Sequence, residues 1–345
     1  MSLRMPQRSV APLVLANVLG TCLAQALGQS IVLEPKYPPG QTLYSEQFAS
    51  IEFVIAGGAV QDVDAEGIKA LTEFRLGLLR TVQSASADGV TLRLTLDRVA
   101  VKFEMALLPP MAFDSDGVDP PEGTPALERA LRPLIGMSYT LALNGKHKVV
   151  RTEGLDEIRA VLDKNGASLP PVSLISTLFS EKSVRRDWGE ERMVLFPMKS
   201  VRIGESWSRS IDSELGSAGQ VQTDYRCKLD RIVKDGDTRL GLVSFISDVR
   251  TAADAKPLKA PDGSDMKLKD GRLTGHAAYD IVLGEYVESV ADGAISFQGQ
   301  PRSGALPFRA DVRLSQSSIV MSPDQRSATR GQPQDTTPVS SDRTP

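Results

Sequence analysis

The sequence predicts a mainly β protein with a few helices, built as two similar antiparallel β-sheet halves joined by a helical bridge. One observation is a pattern that occurs twice, from Gly136 to Val150 and again from Gly275 to Val290. Each copy has a glycine, an alternating apolar run, an Asn-Gly or Leu-Gly turn and a second run. Alternation with period two around a glycine turn is typical of a β-hairpin.

Two further pairs of landmarks recur in the same order along the chain. Pro-Gly40-Gln-Thr-Leu is echoed by Ile-Gly204-Glu-Ser-Trp, where the glycine frees a turn and the large apolar residue opens a strand. Asp88-Gly89 between alternating runs is echoed by Asp235-Gly236. Three pairs in one register indicate a duplicated unit, with a first β-rich repeat over 29–154 and a second over 196–321.

Helical spacing predicts the bridge between the repeats, over 155–195. Leu155, Ile158, Val161 and Leu162 fall on one face of a helix that Asn165-Gly166 ends, and a second helix follows Pro170-Pro171. A short helix is also expected over 124–133, inside the first repeat. Composition predicts three non-regular segments: a solvated, charged linker over 181–192, a mobile loop over 253–270 and a disordered tail over 322–345.

The amino terminus is typical of a signal peptide over residues 1–28. Arg4 and Arg8 precede an apolar run that is short for a membrane span, and small residues at the required spacing follow it. The protein is therefore expected outside the cytoplasm, in the periplasm or cell envelope, with no transmembrane span after cleavage. Two alternatives stay open: a buried or anchoring helix, and a lipid anchor at Cys22. Cleavage would leave Cys227 as a lone thiol, whose alternating context predicts a buried core residue.

The sequence resembles a family of bacterial exported proteins of unknown function, DUF6263. The matching residues are Phe113-Asp-Ser-Asp116, Gly136 through Gly154-Leu155, Pro197 through Trp207, and the hairpin at Gly275. This resemblance implies an exported, β-rich, lipoprotein-like fold with two similar halves. It implies no known activity.

Charge and motif spacing argue against several function classes. A net charge of −3, with no basic half, is not typical of a nucleic-acid binder. His147 and His276 are predicted to be exposed hairpin residues, and no metal-ligand spacing surrounds them, so no metal or other cofactor is expected. Ser264 and Lys267 match Ser-x-x-Lys without supporting motifs. The acid pairs Asp114/Asp116 and Glu190/Glu191 are expected to be solvated.

The leading hypothesis is a non-enzymatic, exported envelope protein that binds a hydrophobic small molecule or a partner protein. Sheets with one apolar face must cover it, and a loosely covered face leaves an apolar concavity for a ligand. The alternatives are a structural or adaptor protein with a filled core, and a hydrolase using Ser264 and Lys267. The residues expected to line the apolar faces, and hence to bind the ligand, are Leu43, Tyr139, Leu141, Leu143, Trp207, Tyr279, Ile281 and Leu283.

Overall fold

A computed structural model describes most of the chain between residues 30 and 330. The described ranges are 30–57, 67–106, 108–117, 125–166, 168–214, 220–235, 238–252, 258–259, 265–300 and 307–330. The predicted signal peptide with Cys22, Thr124 of the predicted short helix, Gly236 of the predicted Asp-Gly turn and the candidate nucleophile Ser264 therefore lie outside the described residues.

Strands account for 61% of the described structure, which confirms the predicted mainly β class. Their bounds are β1 Ser30–Val32, β2 Thr42–Gly57, β3 Ile68–Ser86, β4 Gly89–Met105, β5 Met111–Asp114, β6 Ser138–Asn144, β7 Val149–Glu153, β8 Ser200–Arg202, β9 Ser206–Glu214, β10 Gln220–Asp235, β11 Thr238–Thr251, β12 Leu258–Lys259, β13 Asp265–Asp280, β14 Glu285–Gln300 and β15 Phe308–Met321. Strands of 16 residues, such as β2 and β14, span about 50 Å at the usual rise of about 3.3 Å per residue.

Five short helices and three helical turns, the first of them the 3-10 turn Arg132–Leu134, complete the described elements. The helices are α1 Pro125–Leu131, α2 Leu155–Gly166, α3 Pro170–Leu178, α4 Glu181–Arg185 and α5 Pro323–Thr329. A π-helical turn, Arg186–Glu191, and a 3-10 turn, Arg192–Val194, extend α4 toward β8. The predicted helices of the bridge are thus confirmed, and Leu155, Ile158 and Leu162 are buried on the face that the spacing indicated.

Nearly all the strands form one antiparallel sheet. Its order is β7-β6-β4-β3-β2-β15-β14-β13-β11-β10-β9, with β5 beside β4 and β12 beside β13, while β1 and β8 form a separate pair. The first half, β2 to β7, and the second half, β9 to β14, follow the same strand order along this path. β15 pairs with β14 on one side and with β2 on the other, so the two halves share a continuous sheet. The duplication and the repeat boundaries stay a prediction.

The predicted turns are mostly confirmed. Gly40 and Gly204 have φ of 78° and 84°, in the left-handed region that favours glycine. Ser86 pairs with Gly89 and Asp235 pairs with Thr238, so both Asp-Gly sites join hairpin strands. Gly275 differs from Gly136, its predicted counterpart, because Gly275 lies inside β13 whereas Gly136 precedes β6.

Three segments differ from the sequence prediction. The described part of 253–270 is not a loop, because residues 265–270 belong to β13 and pair with β14. The expected disordered tail is wrong for residues 322–330, because Ser322 and Gln325 form a capping box that starts α5. The linker over 181–192 is not a solvated face, because Ser183, Val184 and Gly189 are buried. Residues 331–345 lie outside the described part.

Two hydrophobic cores lie on one face of the sheet, at the end where β2 begins. The first core packs α1, α2 and α3 against β3, β4 and β6, around fully buried leucines such as Leu92, Leu94 and Leu141. The second core packs the 193–201 segment and β1 against β9, β10, β11 and β13. We call this end of the sheet the proximal end, and the end at Gly57 the distal end.

Candidate functional site

Part of one face of the sheet, across the neighbouring strands β11, β13, β14, β15 and β2, carries no charged side chain. Residues that pair directly across an antiparallel sheet point to the same side, so the register groups the alternate residues of neighbouring strands. Ile51 of β2, for example, lies opposite Leu314 of β15, which lies opposite Gly293 of β14. We call this part of the side the uncharged face, and Arg80 of the next strand, β3, lies just beyond it. The uncharged face consists of 243, 245, 247 and 249 of β11; 266, 268, 271, 273, 275 and 277 of β13; odd residues 289–299 of β14; even residues 308–320 of β15; and odd residues 43–55 of β2.

The opposite side of the same strands is charged. Glu52 of β2 pairs with Arg313 of β15 at 3.2 Å, and Arg226 of β10 pairs with Asp248 of β11 at 2.7 Å. These ion pairs are largely exposed to solvent. The sheet is therefore amphipathic: one side carries charged groups that face solvent, and the other side is suited to packing against an apolar layer.

At the proximal end the uncharged face is covered, and the sequence-predicted ligand-binding residues lie there. Tyr139, Leu141 and Leu143 come together in the first core. Trp207 and Tyr279 lie in the second core, with Ile281 packed against it. Leu43 is buried on β2, and Leu283 is half-buried in the turn before β14. The structure thus divides these eight residues between separate packed regions.

In the second core, the polar atoms of the two predicted aromatic residues form hydrogen bonds to backbone carbonyls of the protein. The indole nitrogen of Trp207 donates to the carbonyl of Val194 at 3.0 Å, and the hydroxyl of Tyr279 donates to the carbonyl of Glu34 at 2.7 Å. Both bonds hold a covering segment on the sheet. These contacts give Trp207 and Tyr279 a structural role, whatever else they bind.

At the distal end the same face keeps large apolar side chains in contact with solvent. Phe53 is 41% exposed and Ile55 is 38% exposed. Neighbouring strands continue this surface, and part of it forms a small third cluster around Phe297 and Ala310. We call this surface the distal floor, and it consists of Ile51, Phe53, Ile55, Leu268, Leu273, Ile295, Phe297, Ala310, Val312 and Leu314.

A polar band separates the distal floor from the proximal cores on the central strands. It consists of Ser45 and Gln47 of β2, Gln316 and Ser318 of β15, and Ser289 of β14. Gln47 and Gln316 are exposed, whereas the hydroxyls of Ser289 and Ser318 are 2.8 Å apart and hydrogen-bonded. The face therefore changes along its length from packed core to neutral polar groups to exposed apolar surface.

A buried ion cluster joins the two halves and the bridge at the proximal end. The carboxylate of Glu285 at the start of β14 lies 2.5 Å from the guanidinium of Arg80 on β3 and also pairs with Arg192 of the bridge. Burial acts to raise the pKa of Glu285, but the Arg192 and Arg80 guanidiniums outweigh burial and hold it below its ordinary value. Glu285 is therefore ionised and structural.

A second ion cluster fixes α5 on the charged side of the sheet. Arg326 pairs with Asp97 at 3.1 Å and with Asp116, and it lies over the ring of Tyr44. The expectation that Asp116 is solvated is wrong, because its side chain is 6% exposed and held by arginines of β4 and α5. Burial, and next the neighbouring Glu46, raise the pKa of the Tyr44 hydroxyl, which donates to that carboxylate at 2.7 Å.

The second acid pair is also not simply solvated. Glu190 is exposed, but loss of solvent and the nearby Asp187 carboxylate raise the pKa of Glu191. Glu191 still has a cation beside it, since the guanidinium of Arg186 is 3.1 Å away. This arrangement is an ion network on the π-helical turn.

The nucleophile and metal candidates gain no supporting geometry within the described residues. Cys227 is buried as predicted, and burial raises the pKa of its thiol to about 12. Lys267 is exposed on β13. His276 is exposed as predicted, but His147 is half-buried, with its ring 5.9 Å from that of Tyr37. Among the described residues, no group of three or more histidine, cysteine and acidic side chains is placed to share a metal ion.

The comparisons with known proteins establish the family. A model of the family of unknown function DUF6263 matches residues 87–269, which is more than half of the chain. The chain belongs to DUF6263. No curated protein sequence matches it. None of the helices in the described ranges is both long enough and apolar enough to cross a membrane.

Solved structures give only distant likenesses. A structure described as lipid–protein interactions in lipovitellin has a TM-score of 0.42 at 10% identity, covering 83% of this chain and 26% of that one, so this chain spans about a quarter of its length. The outer membrane protein OprG from Pseudomonas aeruginosa has a TM-score of 0.23 at 6% identity, with 84% and 99% covered. The COG4313 outer membrane channel from Pseudomonas putida F1 has 0.16 at 8%, with 84% and 98% covered. At these scores the likenesses carry no argument about function.

None of the residues predicted to bind a ligand lies in the distal floor, although the sequence carries a signal for part of it. Phe308, Ala310, Val312 and Leu314 alternate in the sequence, a pattern that predicts a strand, and they lie in β15. The matching alternation of Ile51, Phe53 and Ile55 lies in β2 and was not singled out. Their pairing across β2 and β15 joins residues more than 250 positions apart, and only the folded register reveals it.

Proposed function

We propose that this DUF6263 protein is a non-enzymatic, exported envelope protein that binds a hydrophobic ligand on its distal floor. The observation that supports the proposal is the exposure of Phe53 and Ile55 on a sheet face without charged side chains. Covering the exposed part of each side chain would stabilise a complex by about 1 kcal/mol, at roughly 25 cal/mol per Å². The floor extends over four strands, so a ligand along it gains several such contributions.

Location and partner class belong to the same proposal. The amino-terminal pattern of residues 1–28 supports export to the periplasm or cell envelope, with a lipid anchor at Cys22 as the less favoured variant. A ligand that is poorly soluble in water requires a carrier in that compartment, and the uncharged face suits such a ligand.

Diphenylhexatriene, an apolar probe without a head group, tests the proposal directly. The unsubstituted protein should bind it and enhance its fluorescence. Phe53→Asp places a charge on the floor and should weaken binding at least tenfold, because an unpaired carboxylate resists losing water. Val54→Asp, on the other side of the same strand, is the matched control and should stay within about twofold. If the unsubstituted protein does not bind the probe, or if both variants lose the same affinity for it, the proposal is wrong.

Native mass spectrometry of protein purified from its own host gives a second test. A co-purifying lipid that disappears in Phe53→Asp would support binding at the floor. Protein that carries no lipid in either form would count against a carrier. A fluorophosphonate probe that labels the protein would contradict the non-enzymatic part of the proposal.

Partner binding through a sheet edge is the second candidate function. Within the described residues β9, Ser206–Glu214, pairs only with β10, so its other side offers main-chain groups to an added strand. A photo-crosslinker at exposed Ser210 should capture one partner repeatedly, whereas the same group at Arg159 on α2 should not. Equal labelling at both positions would rule out edge recognition.

A further inference from the structure

The polar band beside the distal floor bears on the chemistry of the ligand. Gln47 lies opposite Ser318, and Gln316 lies opposite Ala49. The two glutamines are therefore diagonal neighbours on one face, a relation that places side chains about 7–8 Å apart across two strands. Both are exposed, and among the described residues neither side-chain amide has a hydrogen-bond partner. Two free carboxamides offer both donors and acceptors at one place.

The surroundings of the band are neutral. On the same face of β3, Arg80 is the first charged residue toward the proximal end, four positions from Leu76, which lies opposite Gln47. Four strand residues correspond to about 13 Å. Arg80 is only 2% exposed and its charge is matched by Glu285, so it offers no counter-ion at the band. A charged group placed there would lose water without gaining an ion pair.

The polar band and the distal floor follow one another along β2. From Gln47 to Ile55 along β2 the distance is about 26 Å, with Ile51 and Phe53 between them on the same face. A long apolar chain can lie along the distal half while a group at its end meets the carboxamides. Building on the proposed function, we infer that the ligand is a long-chain amphiphile with an uncharged, hydrogen-bonding head group seated at Gln47 and Gln316.

The experiment compares ligands that share one chain and differ in the head. Monooleoylglycerol carries neutral hydroxyls, oleate carries a negative charge and oleylamine a positive one, while diphenylhexatriene has no head. The unsubstituted full chain at pH 8 should bind monooleoylglycerol about tenfold more tightly than oleate and more tightly than oleylamine. This preference is the size expected from one or two hydrogen bonds together with the cost of placing a charge in a neutral site.

Substitution locates the head group. The double variant Gln47→Leu with Gln316→Leu should lose about tenfold in affinity for monooleoylglycerol and keep its affinity for diphenylhexatriene. Gln298→Leu, on the charged side of β14, is the matched control and should change neither. The conservative pair Gln47→Asn and Gln316→Asn should restore part of the preference.

The outcomes separate this inference from the proposed function. If no probe binds, both fail. The head-group inference alone fails if diphenylhexatriene, monooleoylglycerol, oleate and oleylamine all bind equally well. It also fails if the double leucine variant keeps its preference for monooleoylglycerol. In both cases the distal floor remains a ligand site. A preference for oleate or oleylamine over monooleoylglycerol would also overturn it.

Discussion

The proximal end and the distal end lie on the same side of one sheet but differ in what covers them. At the proximal end Leu141, on β6, is fully buried beneath the bridge helices. At the distal end Phe53 and Ile55 alternate along β2 in the same way but stay partly exposed. Strand alternation thus prepares the whole face for burial, and the covering layer decides which part becomes core.

The difference separates stability from binding in this fold. The packed proximal end supplies the cooperative contacts that hold the bridge and both halves together. The distal floor contributes less to folding because most of its side chains, Phe297 and Ala310 apart, gain only part of their burial. A surface that is only half-buried in the free protein can gain burial from a ligand without the unpacking of a core.

The largest expected effect comes from breaking the proximal ion cluster. Glu285→Ala would leave Arg80 and Arg192 without their shared carboxylate, and it should lower the free energy of unfolding by about 3–5 kcal/mol. Urea denaturation measures this loss. Glu52→Ala, which removes an exposed partner of Arg313 on the charged side, is the matched control at about 0–1 kcal/mol. Similar losses in both variants would show that the proximal cluster does not hold the halves together.

Glu285→Gln keeps the shape of the side chain, so this variant tests the prediction even if Glu285→Ala does not fold. It should be more stable than Glu285→Ala but less stable than the unsubstituted chain, because a neutral amide only partly replaces a carboxylate between two guanidiniums. A glutamine variant as stable as the original would contradict an ionised role for Glu285.

A pair of matched leucine truncations compares the two ends directly. Leu141→Ala removes a fully buried side chain and should cost about 2–5 kcal/mol through lost contacts and a cavity. Leu314→Ala removes a half-buried side chain from the distal floor and should cost about 1 kcal/mol. Denaturant midpoints give both values, and probe affinity should fall in Leu314→Ala. Equal stability losses would mean that the distal floor is packed core and not a ligand surface.

Much of the fold follows from local sequence, but the covering layer and the candidate site do not. Alternation in Phe308–Met321 and helical spacing in Leu155–Gly166 predict their elements because each pattern is local. The burial of Asp116 depends on Arg326, which is 210 residues away, so a local reading makes that carboxylate solvated. The exposure of Phe53 likewise depends on which segments cover the sheet, and the bridge that covers the proximal end begins about 100 positions further along the chain.

The smallest predicted effect is a pH dependence at His147, near the proximal cluster. Loss of solvent, and then the Arg192 guanidinium, lower the pKa of His147, while Glu34 acts in the opposite direction. The folded state therefore favours neutral imidazole more than the unfolded chain does. This contribution to stability is present above about pH 6.5, the unfolded value, and is lost as the pH falls through the window down to the lower folded value.

His147→Asn tests this contribution without straining the backbone. Residue 147 has φ of 58°, and asparagine tolerates that left-handed conformation better than most residues. The unsubstituted chain should lose more unfolding free energy than the variant between pH 7 and pH 5.5, because only its unfolded state gains a proton on that imidazole. Urea curves at several pH values measure the difference, with His276→Asn on exposed β13 as the comparison. Parallel stability profiles for the original chain and His147→Asn would mean that this ring is solvated, and that the covered proximal end stops short of the β6–β7 turn.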